Sequence, residues 1–375
     1  MNDEHYLFVS CPFGGTEVFM KNLRLYVEAR NDISSHWLEI PRTVPSNTLG
    51  VGHLTNNWTL RASASAFLAI RDLRRRGVTI KAAFFNHLTA VSLLLWYRQI
   101  IPCVLSLDIT PVLLNLDRDW YIPEGFHTRG LAASLSKRWS RRTYSTMRYL
   151  LPWSQYAKDS LVADYGVASD QIIVMPPGLD MSIWKPRNHE KARNGERLSV
   201  LFVGGDFIRK GGDVLAQLAA TEAFQEFDFH FVTNSFSGPT PKNVHVYSNL
   251  QPGCDELVRL YQESDVFVLP TRADYTPNAV VEALAMGLPV ITTNVGAVGE
   301  MIHDGKEGFI VPPNGGEMLG QRLVQLKSNP ALLQELKLNA RRHAENSFDI
   351  AKIGSRIIDL LREVGEPERK PHVQG

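Results

Sequence analysis

Short apolar segments alternate with segments of helical spacing along most of the chain, and this alternation limits the possible folds. Residues 5–11 are rich in β-forming side chains, and after a glycine turn apolar residues recur at helical spacing over 16–30. A strand, a turn and a helix in this order are typical of a parallel sheet covered by helices. The alternation starts again at residue 198, after a polar, turn-rich segment at 186–196. The sequence therefore predicts two α/β halves.

Chain length supports two domains. The chain has 375 residues, which is more than one hydrophobic core usually holds, and 44% of them are hydrophobic. We expect an N-terminal domain at 1–178 and a C-terminal domain at 179–375, with a linker at about 179–197. The final helix is a candidate to pack back on the N-terminal domain.

The same periodicity places individual elements. In the first half it predicts strands at 82–85, 103–107 and 148–151 and helices at 63–76, 88–99 and 156–165. In the second half it predicts strands at 198–203, 227–232, 266–269, 289–292 and 308–311, and helices at 212–220, 255–262 and 278–286.

Charge and cysteine content exclude several classes of protein. The formal net charge is +1, so no overall field attracts nucleic acid, and we expect no nucleic-acid partner. The three cysteines are widely spaced and form no CxxC pair, which argues against a zinc site or a disulfide framework. Reduced cysteines in a cytoplasmic chain are the simpler interpretation.

No segment predicts export or membrane insertion. The first five residues are acidic and lack the basic region of a signal peptide. The most apolar stretch, 90–107, is interrupted by Arg98, Gln99 and Pro102 and does not predict a membrane span. We therefore expect a cytoplasmic protein.

Two carboxylates flank a predicted helix start in the second half. Asp274 and Glu282 are eight residues apart, and Thr276 and Pro277 suit the N-cap and the first helical position. A helix N-terminus attracts an anion, and each carboxylate can accept hydrogen bonds from vicinal hydroxyls. A ligand with phosphate in the middle and a sugar at each end would use all three features, although a surface acid and a helix-face glutamate would also explain the spacing.

This segment resembles the donor-site signature of glycosyltransferase family 4, whose members have the GT-B fold of two Rossmann-like domains facing each other across a cleft. Asp274 stands where the signature has its first Glu, and Pro277-Asn278, Glu282, the run at 283–290, Gly296 and Glu300 follow in register. The resemblance covers nearly the whole chain but is specific mainly over 198–313. It implies that Asp274 holds the donor sugar, that the backbone at Thr276, Pro277, Asn278 and Ala279 surrounds sugar and phosphate, and that Glu282 holds the ribose.

A glycine turn with two basic residues follows the strand at 198–203. Gly204 and Gly205 let the backbone approach a ligand, and Arg209 and Lys210 can neutralise a diphosphate leaving group. Lys210 falls on the lysine of the family. Gly205 stands where the family usually has arginine, and Arg209 is a candidate to supply that charge.

The first half offers weaker candidates. Gly14 and Gly15 form a turn whose counterpart in the family closes over the donor phosphates and the acceptor, although tight turns explain most Gly-Gly pairs. Asp108 ends a predicted strand where many family members place a histidine facing the sugar. His87 also ends a strand, but a lone histidine there is more often structural.

Two charged segments have simple alternatives. Asp117-Arg118-Asp119 is a D-x-D tripeptide, which binds metal in the other main glycosyltransferase fold but is common in surface loops, so we expect no metal. The basic residues Lys137, Arg138, Arg141 and Arg142 could touch anionic lipid or a lipid-linked acceptor. Such a run is usually a solvated helix face.

The resemblance implies a retaining transferase that moves a hexose-type sugar from a nucleotide-diphosphate donor to a glycan, lipid-linked or small-molecule acceptor. It implies no cofactor and no metal. The alternative from another class is a non-catalytic nucleotide-sugar or glycan-binding protein, which Asp at position 274 and Gly at position 205 leave open. A phosphorylase or an epimerase on this fold is a third reading, and an NAD dehydrogenase is disfavoured because no GxGxxG fingerprint is present.

Overall fold

The computed structural model describes residues 4–11, 15–40, 58–92, 101–121, 130–186 and 197–366, which form two compact units. The first unit comprises the described residues of Met1–Arg118, Ile122–Gly178 and Ile350–Gly375. The second comprises Asp119–Tyr121 and Leu179–Asp349. The division falls between Gly178 and Leu179, and the end of the chain from Ile350 belongs to the first unit.

A five-stranded parallel sheet forms the centre of the first unit, in the order β2-β1-β3-β4-β5. Its strands are β1 (His5–Ser10), β2 (Ser34–Glu39), β3 (Ile80–Phe85), β4 (Cys103–Leu107) and β5 (Tyr149–Pro152). Its helices are α1 (Gly15–Glu28), α2 (Trp58–Arg75), α3 (Leu88–Ser92), α4 (Pro111–Leu116), α6 (Gly130–Tyr144), α7 (Gln155–Tyr165) and α13 (Ile350–Gly365), and the short α5 (Arg118–Tyr121) leads into the second unit.

Both faces of this sheet are covered, which is why its inner strands β1, β3 and β4 are largely apolar on both sides. Phe8 and Phe84 point to one face and pack with the apolar sides of α1 and α13. Val9 and Phe85 belong to a second cluster that includes buried residues of α2 and α7. The unit therefore has the helix–sheet–helix layers that the sequence predicts.

A six-stranded parallel sheet forms the second unit, in the order β11-β10-β9-β6-β7-β8. Its strands are β6 (Leu198–Val203), β7 (Phe227–Val232), β8 (Val244–Tyr247), β9 (Val266–Leu269), β10 (Val290–Thr293) and β11 (Gly308–Val311). Its helices are α8 (Gly212–Ala219), α9 (Asp255–Glu263), α10 (Asn278–Ala285), α11 (Gly316–Ser328) and α12 (Pro330–Ser347).

The strand order of the second sheet is that of a Rossmann fold. From β6 the chain runs outward to β7 and β8, returns to β9 on the other side of β6, and runs outward again to β10 and β11. The order therefore reverses between β6 and β9. In open α/β sheets ligands bind beyond the carboxyl ends of the strands at such a reversal.

The predicted strands and helices are observed with small shifts of their ends, and several elements were not predicted. Strands β2 and β8 and helices α4, α5 and α6 fall in this group. Of the predicted helix at 88–99 the structure describes only Leu88–Ser92. Among the described residues, no helix is long and apolar enough to cross a membrane.

Candidate functional site

An ion pair lies where the two central strands of the second sheet end. Lys210 follows β6, Asp274 follows β9, and the ammonium of Lys210 donates a hydrogen bond to the Asp274 carboxylate. The two side chains are only 14% and 11% exposed, so the pair is largely withdrawn from water. The sequence-predicted cation and acid thus meet at the reversal of strand order, where a ligand site is expected.

Glycines make the close approach of these two loops possible. A methyl group on Gly204 would lie 3.0 Å from Cβ and Cγ of Lys210, so the small residue leaves room for the lysine stem. Gly211 has φ +78°, and a methyl group there would lie 2.0 Å from the carbonyl oxygen of Pro270, which follows β9. Gly211 therefore brings the Lys210 turn against the segment that carries Asp274.

A third glycine packs against the backbone of Asp274. Gly296 has φ +53°, and a methyl group on it would lie 2.1 Å from the backbone carbonyl oxygen of Asp274. The Asp274 carboxylate also accepts a hydrogen bond of 3.0 Å from the backbone N–H of Tyr275. The position of the acid is therefore fixed by backbone contacts as well as by Lys210.

Helix α10 begins at the predicted residue, but its N-cap lies one residue later than predicted. Its first residue is Asn278, and Pro277, with ψ 119°, occupies the N-cap position that we had expected for Thr276. The prediction was wrong because Pro277 keeps an extended ψ and so stays outside the helix. Thr276 is 6% exposed, and its hydroxyl has no hydrogen-bond partner in the part of the chain that the structure describes.

This arrangement suits an anionic ligand. The first turn of a helix leaves backbone N–H groups without intrahelical partners and carries positive partial charge. Thr276 adds a buried hydroxyl just before Asn278 and Ala279, and an unsatisfied buried hydroxyl is costly unless a ligand or water completes its hydrogen bond. Asp274, which is paired with Lys210, lies two residues before Thr276.

Glu282 lies inside α10 and is buried, with 5% of its surface exposed. The hydroxyl of Tyr261, on α9, donates a hydrogen bond of 2.8 Å to its carboxylate. Desolvation raises the pKa of Glu282 to about 7, and the hydrogen bond from Tyr261 partly opposes this shift. Burial likewise raises the pKa of Tyr261 well above its usual value.

Arg209 is held by aromatic and backbone groups rather than pointing to solvent. Its guanidinium donates hydrogen bonds to the Tyr121 hydroxyl (3.0 Å) and the Ala273 carbonyl (2.8 Å), and its central carbon lies 4.7 Å from the centre of the Tyr121 ring. It also pairs with Asp206 at 3.3 Å. A methyl group on Gly205 would meet nothing within 4 Å, so the place of the family's arginine is open space.

Three partners of the site were not predicted from the sequence. Tyr121 stacks on Tyr275 with 5.2 Å between ring centres, and its hydroxyl donates to the Ala273 carbonyl. Tyr261 holds Glu282, as described above. Arg272 pairs with Asp213 through both terminal nitrogens. Of the three, only Tyr261 could have been found from the sequence, because it lies on the apolar side of α9 with Leu257 and Leu260.

The candidates of the first unit lie at the carboxyl ends of their strands. Gly15 is the first residue of α1, and Gly14 lies outside the described residues. Asp108 follows β4 and is partly buried. The ring of His87, after β3, is 2.8 Å from the Thr89 hydroxyl, and desolvation lowers its pKa to about 4. A neutral, locally bonded His87 fits the structural role expected for it.

The two charged segments have local roles. Asp117 ends α4 and Asp119 lies in the first turn of α5. In the basic helix α6, Lys137 pairs with Asp164, and the guanidinium of Arg141 lies beside Gly166 at the end of α7. The remaining basic residues of the run, Arg138 and Arg142, are exposed.

Most of the second unit matches the model of a known protein family. Residues 197–329 match the family model described as glycosyl transferases group 1. This range includes both loops of the site. The segment is therefore similar to group 1 glycosyltransferases over most of the second unit, in agreement with the resemblance found in the sequence.

Whole-chain comparisons agree on the fold. The chain is similar to a sucrose-phosphate synthase from Thermosynechococcus elongatus, with a TM-score of 0.75, 15% identity and coverage of 96% of this chain and 99% of that one. It is also similar to HepE of Anabaena in complex with UDP-glucose, with a TM-score of 0.67, 14% identity and coverage of 96% and 99%. The predicted fold class, GT-B with two Rossmann-like α/β domains, is confirmed.

Curated relatives match over part of their length. The D-inositol 3-phosphate glycosyltransferase of Rhodococcus jostii (strain RHA1) is 29% identical over 210 residues, which cover 50% of this chain and 46% of that protein. The chain thus spans about half the length of the curated relatives it matches. Proteins named as glycosyltransferases are among those that the chain is similar to in both comparisons.

Proposed function

We propose that this chain is a retaining glycosyltransferase that moves a hexose-type sugar from a nucleotide-diphosphate donor to a glycan, lipid-linked or small-molecule acceptor. One observation carries the proposal. Lys210, Asp274 and the N-terminus of α10 meet at the carboxyl ends of β6 and β9, with Glu282 buried one turn further along the helix. A cation, two acids and a helix N-terminus match the parts of a nucleotide sugar.

Each group takes one part of the donor in this proposal. Glu282 accepts hydrogen bonds from the ribose hydroxyls, and the start of α10 with the Thr276 hydroxyl receives the diphosphate. Asp274 orients the sugar, with the backbone of Pro277, Asn278 and Ala279 around it. The similarity in fold to HepE, which was solved with UDP-glucose, supports a nucleotide hexose as donor.

Lys210 is the proposed source of positive charge for the leaving group. Its ammonium is paired with Asp274 in the structure. When the donor binds, Asp274 turns to the sugar hydroxyls and Lys210 to the diphosphate, so that leaving-group charge is stabilised without a metal ion. A well-placed group of this kind in a water-excluded site lowers the barrier by about 3–4 kcal/mol. Arg209 is a second candidate, but it must first leave Tyr121 or Ala273.

The acceptor is proposed to use the first unit. Gly15 follows β1, and Asp108 follows β4, so both lie at the carboxyl edge of that sheet. The named relative transfers a sugar to D-inositol 3-phosphate, which supports a small polyol phosphate among the acceptors to be tested. The exposed Leu135, Trp139, Arg138 and Arg142 of α6 make a lipid-linked acceptor the second class to test.

Donor turnover by Lys210→Ala tests the proposal. We expect UDP-, GDP- or ADP-hexose to be consumed by the wild-type chain with an acceptor panel, and kcat to fall roughly 100- to 1,000-fold in the variant. Nucleotide diphosphate release measures kcat, and NMR of the product gives its anomeric configuration. Lys242→Ala, an exposed lysine of the same unit, is the matched control.

The outcomes separate the competing functions. A near-normal rate in Lys210→Ala would remove this residue from the mechanism, and an inverted product would contradict retention. Saturable donor binding without turnover by any acceptor would favour the non-catalytic nucleotide-sugar-binding protein.

A further inference from the structure

Three potential metal ligands lie at the edge of the second sheet opposite to the donor site. Glu307 immediately precedes β11, and its carbonyl accepts a hydrogen bond of 3.0 Å from the backbone N–H of Val290, the first residue of β10. Asp274, by contrast, follows the carboxyl end of β9. The strands between the two edges have four residues each, or about 13 Å. The cluster is therefore separate from the donor site.

His303, Glu307 and His343 each offer one ligand atom, and these atoms all lie within 4.8 Å of one another. Nδ1 of His303 is 3.1 Å from Oε2 of Glu307, and the same oxygen accepts a hydrogen bond of 2.7 Å from the His303 backbone N–H. The two imidazole rings are 5.5 Å apart and nearly perpendicular, at 80°. The His303 side chain is 63% exposed, so solvent and ions reach the cluster.

His343 already has the hydrogen bond that orients many metal-binding histidines. It lies on α12, and its Nε2 is 3.1 Å from the carbonyl oxygen of Met301. Because a carbonyl only accepts hydrogen bonds, Nε2 carries the proton in this contact and the neutral ring keeps the lone pair on Nδ1. A ligating histidine typically donates its other N–H to a carbonyl or carboxylate in this way.

We propose that His303, Glu307 and His343 bind a divalent late transition metal ion, with Zn²⁺ as the best match. Two imidazoles and one carboxylate with water in the fourth position form a common zinc ligand set. Ligand atoms about 2.0–2.2 Å from a tetrahedral ion are about 3.4 Å from each other. The 3.1 Å separation of His303 and Glu307 is close to this value, the ligand atom of His343 lies within 4.8 Å of both, and the exposed His303 side chain can adjust its position.

The bound ion would have a structural role. It would join the segment before β11 to α12, two parts of the second unit that Met301 and His343 already connect. The ion would also place a positive charge beside the buried Glu307 carboxylate. Within the described residues, the hydrogen bonds to that carboxylate come from His303 alone. The competing interpretation is that the cluster is a hydrogen-bonded surface contact without an ion.

Zinc titration of the full, tag-free chain distinguishes the two. After chelation and dialysis, calorimetry with ZnCl₂ should show one Zn²⁺ ion bound per wild-type chain. This binding should be lost in His303→Ala and in His343→Ala. The melting temperature of the wild-type chain should rise by about 5 °C at a hundredfold excess of Zn²⁺ over Kd, with no such rise in His303→Ala. Co²⁺ should give the visible d–d absorption of a tetrahedral site.

A second histidine pair in the same unit provides the control. His230 and His245 stack with ring centres 5.1 Å apart. They could bind a metal ion non-specifically, and His245→Ala removes this second pair. That variant should keep the Zn²⁺ binding that His303→Ala loses. Since His303 is exposed, its replacement should leave the fold intact, and Glu307→Gln provides an independent loss of the site. Unchanged Zn²⁺ stoichiometry in His303→Ala and His343→Ala, or no binding by the wild-type chain, would overturn the proposal.

Discussion

The environment of Glu282 shows how the second unit adapts a titratable group to its site. The carboxyl group lies in a helix whose residues from Val280 to Ala285 are all buried, and its hydrogen bond comes from the hydroxyl of Tyr261. Few charged groups tolerate such a place without a partner. Because its pKa is raised to about 7, the Glu282 carboxyl group is protonated in about half of the molecules near neutral pH.

Glu282→Gln should change the pH dependence of stability. A carboxyl group of usual pKa 4.5 that titrates near 7 in the folded chain binds an extra proton on folding between these values. Its contribution to the free energy of unfolding is therefore fully present below about pH 4.5 and is lost as the pH rises through 7, by about 3 kcal/mol at most.

Denaturant unfolding of the ligand-free chain at pH 5 and pH 8 measures this loss. Glutamine copies the protonated form, so the variant should lose less stability than the wild-type chain between the two values. The exposed Glu317→Gln is the control and should follow the wild type. Equal pH dependence in all three chains would show that Glu282 titrates normally.

The sequence identified residues of the site better than it identified their partners. Asp274, Glu282 and Lys210 stand out because acids and a cation flank glycines and a helix start, and these patterns are local. Tyr261 is separated from Glu282 by 21 residues, and Tyr121 from Arg209 by 88 residues, so only the folded chain shows that they meet. The prediction of Thr276 as N-cap was wrong because the extended ψ angle of Pro277 makes Pro277 the N-cap.

At the scale of elements, the strands that the sequence missed lie at the edges of the sheets. β2 and β8 are both outermost strands, and their sequences, SSHWLE and VHVY, mix polar with apolar residues. An edge strand is partly exposed, so it lacks the continuous apolar run that identifies a central strand. The central strands β6 and β9 were predicted at their observed positions because burial on both faces leaves that signal.

The turn between β6 and α8 depends on Gly211. Gly211→Ala places a side chain at φ +78° and 2.0 Å from the Pro270 carbonyl oxygen, so the Lys210 turn must shift or the chain must lose stability. We expect the melting temperature to fall by roughly 4 °C or more. Gly205→Ala in the same turn meets nothing within 4 Å and should keep the wild-type melting temperature. Equal melting temperatures for both variants would refute the close contact.

At the scale of the molecule, the sequence predicted two α/β halves because the alternation of strand and helix stops and restarts around a polar segment. It also placed a change between residues 178 and 179, where the two units divide. The sequence named the final helix as a candidate to pack on the N-terminal domain, and α13, from Ile350, belongs to the first unit, where its apolar face meets α1 and β3. The small Gly354 lies against the ring of Tyr26 in this contact.

The central claim is that the second unit binds a nucleotide-diphosphate sugar through α10 and Glu282 without a metal ion. Calorimetric titration of UDP, GDP and ADP, followed by their sugars, with EDTA present, tests it most directly. We expect saturable binding of one nucleotide that weakens about 10- to 100-fold in Glu282→Ala, because a charged hydrogen bond to the ribose is lost, while Glu317→Ala binds as the wild type does. No binding by any nucleotide, or equal affinity in Glu282→Ala, would rule out this donor site.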